Sequence, residues 1–261
     1  MEAKLPVPPE SVLGYQIEAR TPSRCIRDIC THIETGKPSA YLACLNTYSY
    51  VTSRKDSEFS ASLSAAKWLV PDGAGILLAS KLNGGQLRQR LTGDDIFQSL
   101  CKAAPENTRV FFLGSSEETL TKIRYRFKAD FPKLTMAGTL SPPFKPEFSK
   151  ADNAAMLAAI NQAQPDILWV GLTAPKQEKW LHAHISALDI RFAAGIGAVF
   201  DFYAGNTPRA PLWMQNSGLE WLYRLAKNPR KLARRYLTSN PVFLGILAKQ
   251  YLRSKRKRTL R

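Results

Sequence analysis

The chain has few of the residues and patterns that mark a metalloprotein, a disulfide scaffold or a membrane-spanning protein. Only four cysteines occur, Cys25, Cys30, Cys44 and Cys101, and none forms a C-x-x-C pair. Disulfide frameworks and zinc sites need closer spacing or a small secreted chain, so buried free thiols are expected. Of three histidines, His182 and His184 stand two positions apart in a helical pattern, where side chains diverge. That spacing argues against shared metal ligation. The longest apolar runs, GAGILLAS (73–80) and VFLGILA (242–248), are far shorter than the roughly 20 residues a spanning helix needs. No basic start is joined to an apolar stretch, so a signal peptide is not expected, and MEAKLPVPPESVLGY reads as an ordered arm or a loose leader.

Acid is scarce in one region. The net charge is +16, yet residues 205–261 hold 14 Lys/Arg against a single acid, Glu220, while residues 1–204 hold 23 against 20. A nearly neutral body with a basic tail points to a polyanionic partner, either anionic lipid or nucleic acid. An apolar content of 44% is ordinary for a globular chain with a sizeable core.

Along the body, short apolar runs alternate with helical patterns. YLACLN (41–46), KWLVPDG (67–73), RVFFLGSS (109–116), LTMAGTL (134–140), DILWVGL (166–172) and the start of IRFAAGIGAVFDFYAG (190–205) read as strands. Helical stretches separate them, including DDIFQSLCKAA (94–104), whose aspartates suit a helix start. The spacing predicts an α/β fold with a Rossmann-like, mostly parallel sheet flanked by helices. Residues 1–204 are expected to form the catalytic core, and 205–261 a basic helical C-terminal appendage. Two or three amphipathic helices, broken near Pro229 and Pro241, are predicted there. Arg224, Lys227, Arg230, Lys231, Arg234 and Arg235 crowd around Leu and aromatic positions, as on a membrane-interface helix.

Ligands of open parallel sheets bind beyond the carboxyl ends of the strands. Asp72 falls there, in a Pro-Asp-Gly turn that a catalytic carboxylate and a plain turn fit equally well. In T-A-P-K-Q-E (173–178), Pro175 fits a first helical turn, Lys176 adds a cation, and Gln177 can donate and accept hydrogen bonds. Glu178 reads as serving the helix dipole. Asp201, in an apolar segment, needs a partner, and Arg209 is the nearest candidate. A structural ion pair and a substrate contact both remain open for it. The chain has no D-x-D, which sugar-nucleotide enzymes that chelate diphosphate through a metal commonly carry. Amides and basic groups are expected to neutralise the leaving group instead. No metal or cofactor is expected.

Together the motifs resemble the WecG/TagA/CpsF family, glycosyltransferase family 26. The resemblance rests on Asn46 in LACLN, PDG (71–73), TGDD (92–95), FFLGS (111–115), VGLTAPKQE (170–178), GIGAVFDFYAGNTPRAP (195–211) and GLEWLYRLAKNPRKLARRY (218–236). It implies inverting, metal-independent transfer of a sugar from a UDP-sugar to a polyprenyl-diphosphate-linked saccharide, forming a β-linkage. Asp72 matches the proposed general base. Asn46, Cys44, Thr92, Asp95, Lys176, Gln177, Asp201 and Arg209 are the implied substrate contacts. Arg224, Arg230, Lys231, Arg234 and Arg235 are the implied contacts to acceptor and membrane. Cys44 stands where many members have Thr, which puts the role of that hydroxyl in question. The resemblance permits UDP-glucose, UDP-N-acetylmannosamine or its uronic acid as donor, including an exopolysaccharide glucosyltransferase of the xanthan-assembly kind. It places the protein in the cytoplasm, peripheral on the inner face of the cell membrane, with an anionic membrane surface as partner and room for a homo-oligomer. The rival readings are a nucleic-acid-binding α/β protein using the tail, a nicotinamide oxidoreductase that lacks its G-x-G-x-x-G, and a membrane adaptor without catalysis.

Overall fold

The computed structural model describes residues 8–259. It begins with a hairpin, β1 (Glu10–Val12) and β2 (Tyr15–Ile17), followed by α1 (Pro22–Glu34). Next come β3 (Ala40–Leu45), α2 (Thr47–Ser53), α3 (Ser57–Ser64), β4 (Trp68–Pro71), α4 (Ala74–Leu82) and α5 (Gly93–Ala103). Then follow β5 (Arg109–Gly114), α6 (Glu117–Asp130), β6 (Thr135–Leu140), α7 (Lys150–Ala163), β7 (Ile167–Gly171) and α8 (Lys176–His184). The body ends with β8 (Phe192–Gly195) and α9 (Val199–Tyr203), and the tail holds α10 (Leu212–Asn216), α11 (Glu220–Lys227) and α12 (Pro229–Thr259).

Six parallel strands form one sheet, as the alternation of apolar runs and helices predicted, and their order is β4-β3-β8-β7-β5-β6. Both faces are buried, so side chains of period two enter two different cores. On β7, Ile167 and Trp169 pack into the core with α1, α5, α6 and α9. Leu168 and Val170 pack into the other, with the hairpin, α2, α3, α7 and α8. β3 and β8 are neighbours in the sheet although far apart in sequence, and at such a crossover the loops leave a crevice at the carboxyl edge.

Two sequence expectations are sharpened. Of the ordered arm and the loose leader expected at the N-terminus, residues 10–17 take the ordered form, as a hairpin packed on the body: Val12 and Ile17 are buried, and Glu18 N–H donates to the Leu69 carbonyl at 2.8 Å. Residues 1–7 lie outside the described residues. The expected break at Pro229 is present between α11 and α12, but α12 runs on through Pro241. Proline removes one N–H and crowds the preceding turn. Here packing on both sides holds the helix together: Tyr236 meets Trp221 at 5.9 Å, and Phe243 meets Tyr50 of α2 at 5.7 Å, edge to face. Phe243 and Leu247 thereby join the core beside α2. Among the described residues, no helix is long and apolar enough to cross a membrane.

Candidate active site

The carboxyl ends of the strands open into a cavity of about 1190 Å³. Pockets for small ligands typically measure roughly 300–1,000 Å³, so this cavity lies above that range. The body supplies one wall and the tail the other. Cys44, Asp72, Gly171 and Gly195 come from the strand ends, and Arg224 and Arg235 from α11 and α12.

Asn46 follows β3 as the N-cap of α2. Its Oδ1 accepts the Ser49 N–H at 3.0 Å, and its own N–H donates to Ser49 Oγ at 2.7 Å. This capping box fixes the amide, and its Nδ2 then donates to Asp72 Oδ2 at 3.1 Å. Asp72 follows β4, pinned by its own N–H to the Leu45 carbonyl at 2.8 Å. Gly73 takes φ +103°, a left-handed conformation that favours glycine, and so turns the chain into α4. Burial raises the Asp72 carboxyl pKa, with Glu220 adding to the rise, while the Asn46 hydrogen bond, Arg224 and Arg90 oppose it. Cys44 lines the cavity beside it; burial, with Asp72 and Glu178, holds its thiol protonated. A neutral thiol leaves only a weak donor where a hydroxyl would be a strong one. All four cysteines are free, and Cys25, Cys30 and Cys101 are buried, as expected from the sequence.

Thr92 and Asp95 close the capping box of α5. Thr92 lines the cavity, but Asp95 is absent from its lining. The ion pair expected between Asp201 and Arg209 does not form. Arg209 instead pairs with Asp94, lies 3.6 Å from Asp95, and reaches Glu220 at 3.9 Å. Three acids across two helices outcompete one acid eight residues away. Asp201 lines the cavity, and among the described residues its carboxylate has no partner. Lys176 also lines the cavity, but its Nζ donates to the Lys145 carbonyl at 2.6 Å and lies 3.8 Å over the Phe148 ring.

On the tail wall, the Arg235 guanidinium lies 4.0 Å over the Tyr48 ring, with Nε buried and unpartnered. Burial pulls its pKa below the ordinary guanidinium value. Arg224 lies 5.4 Å over Phe202. Arg230 and Arg234 are exposed and do not line the cavity. The side chain of Lys231 falls outside the described residues.

Sequence reasoning passed over several groups. Arg90 donates to Glu220 at 2.8 Å and lines the cavity. Glu178 is buried in the cavity wall and not at a solvated helix start. Their signals are weak: Arg90 lies in a loop without a recognisable pattern, and an acid in a first helical turn is an ordinary helix feature.

The model of the glycosyl transferase WecG/TagA/CpsF family matches residues 10–257. The chain is 33% identical over 205 residues to an N-acetylglucosaminyldiphosphoundecaprenol N-acetyl-beta-D-mannosaminyltransferase of Bacillus spizizenii strain W23, covering 78% of this chain and 77% of that protein. A protein of the same name from Bacillus subtilis strain 168 is 29% identical over 199 residues, covering 76% and 75%. One from Staphylococcus aureus strain MW2 is 27% identical over 188 residues, covering 72% and 71%.

Proposed function

The chain belongs to the WecG/TagA/CpsF glycosyltransferase family, and from that premise we propose that it transfers a hexosyl unit from a UDP-sugar to a polyprenyl-diphosphate-linked saccharide, with inversion to a β-linkage. One observation carries the reading: a carboxylate fixed by Asn46 faces a cavity whose other wall holds arginines that have no carboxylate partner among the described residues. Asp72 takes the proton of the acceptor hydroxyl as that oxygen attacks the anomeric carbon. The bond to the UDP oxygen breaks, and Arg224 and Arg235 offset the charge on the departing diphosphate. Asn46 orients the carboxylate and keeps it more acidic than burial alone would.

The relatives' names favour N-acetylmannosamine as the donated sugar and an N-acetylglucosamine-bearing lipid diphosphate as acceptor. Glucose and the uronic acid are the competing donors. Residues 205–261 act as an appendage that completes the site at an anionic membrane surface. Leu237 and Leu244 of α12 are 65% and 57% exposed and line the cavity, an apolar surface that suits a lipid-linked substrate.

The test is a screen of UDP-glucose, UDP-N-acetylmannosamine and its uronic acid against a short-chain polyprenyl-diphosphate saccharide. Turnover with one donor, lost in D72N, supports the proposal. Salt-sensitive nucleic-acid binding without turnover or liposome binding would replace it with the nucleic-acid reading.

A further inference from the structure

Gln177 and Glu178 are neighbours in sequence, and both line the cavity from the first turn of α8. They are 4% and 2% exposed. Gln177 Nε2 donates to Glu178 Oε1 at 2.9 Å, which sets the amide so that its oxygen points away from the carboxylate. Among the described residues, Gln177 Oε1 and Glu178 Oε2 are both buried without a hydrogen-bond partner. Folded proteins leave few such atoms, and two side by side in a cavity wall need a donor that the described residues do not supply. The backbone makes room for the pair. A Cβ on Gly195 would lie 3.0 Å from the Gln177 side chain, and one on Gly197 3.4 Å from Gln177 Oε1.

The chemistry of the ligand follows from these atoms. A phosphate offers only acceptors and negative charge, so it does not suit two carbonyl-type oxygens. A cationic group is not required either. Burial pushes the Glu178 carboxyl up to about 7, even with Arg235 of α12 opposing it. The Glu178 charge in turn helps raise the Tyr41 hydroxyl and the Cys44 thiol of β3, each shifted mainly by burial. A neutral group that donates and accepts together fits both oxygens, and hydroxyls on a sugar ring are such groups. Gln177 and Glu178 line the same cavity as Asp72, the carboxylate assigned to proton abstraction.

We propose that Glu178 is a sugar-reading residue that, with the Gln177 amide it orients, hydrogen-bonds hydroxyls of a hexose held in the cavity. This rests on the transfer reading above. The hexose belongs either to the UDP-sugar or to the lipid-linked saccharide, and the experiment separates the two.

Steady-state kinetics of the full chain, E178Q, E178A and E178D, with KM for each substrate and inhibition by UDP, test the proposal. E178A and E178D are expected to raise KM for one sugar-bearing substrate about tenfold or more, because a site built for hydroxyls discriminates strongly once its partner is lost. UDP inhibition is expected to stay unchanged. E178Q keeps one acceptor and one donor and is expected to recover most of the loss. E178Q and E178D alter volume little and keep the test open should E178A fail to fold, with melting curves as the control. Unchanged KM for both substrates in all variants overturns the proposal while leaving the transfer reading intact. UDP inhibition weakening in step with KM overturns it in favour of a nucleobase contact. Absence of wild-type turnover with every donor overturns the transfer reading and this one with it.

Discussion

The two walls of the cavity are held in different ways. On the body side the polar groups are fixed locally: Asn46 and Thr92 sit in capping boxes, Asp72 is pinned to the Leu45 carbonyl, and Gln177 is cradled by glycines. On the tail side, Arg224 and Arg235 rest on aromatic rings, and neither has a carboxylate partner among the described residues. Between them lies a joint of ion pairs, in which Glu220, the tail's one acid, meets Arg90 and Arg209. The body wall is preset by its backbone, whereas the tail wall keeps its charge free. Arginines over rings retain their attraction for an anion, because cation–π contact does not neutralise them. That division fits a site that must hold a base still and also receive a diphosphate.

The most severe way to break the body wall is Asp72→Asn. Loss of a general base typically lowers the rate about 10²–10⁴-fold, so kcat should fall by about three orders of magnitude. Stability should move the other way. The folded carboxyl has its pKa raised above the unfolded value, so above that folded pKa the ionised group opposes folding. The asparagine removes the charge and keeps an acceptor for Asn46. Its melting temperature at pH 7 is therefore expected to match or exceed that of the wild type, and a marked drop would show that the carboxylate is structural.

The tail wall comes next. Arg235→Ala is expected to cost about 10²-fold in kcat/KM, the scale of one preorganised donor to developing charge. Arg235→Lys should recover only part of it, since lysine lacks the planar fork. Equal activity in all three proteins would remove Arg235 from the chemistry. A smaller effect is expected at the joint. Glu220→Gln leaves both walls intact but weakens their link to Arg90 and Arg209. About a tenfold loss of kcat/KM is expected, growing with salt as the remaining charge contacts are screened.

The sequence exposes the body wall and the tail wall unequally. β3, β4, β5 and β7 are legible because buried parallel strands are short apolar runs, and Asp72 is visible because a carboxylate at a strand end stands out in such a run. The hairpin at residues 10–17 is not, since three-residue strands carry too little pattern. The continuity of α12 through Pro241 depends on packing against Tyr50 and Trp221, which no local propensity records. The Arg209 partner is misplaced for a related reason: proximity in sequence favours Asp201, but the fold brings in Asp94 from a segment 115 residues away. Glu178 differs again, for its residue type and position are those of an ordinary helix start, and only burial separates the two cases.

The finest test of the comparison is Asn46→Ala, because Asn46 joins local structure to chemistry in one side chain. Its amide oxygen caps α2 and its amide nitrogen holds Asp72. Loss of the cap is expected to lower stability by about 1 kcal/mol in denaturant titrations. Loss of the hydrogen bond removes the largest influence that keeps the Asp72 carboxyl acidic against burial, so its pKa rises further. In the proposed mechanism the active form of Asp72 is ionised, so kcat/KM is expected to fall as pH drops through its pKa. In the wild type this acid limb should already lie above the ordinary aspartate value, and in Asn46→Ala it should move further up. Asn46→Asp separates the two roles. It retains the cap but places a second negative charge beside Asp72, which also raises the pKa by repulsion. An acid limb that stays fixed in both variants would mean that the body wall does not tune the base, and that Asn46 matters only as the start of a helix.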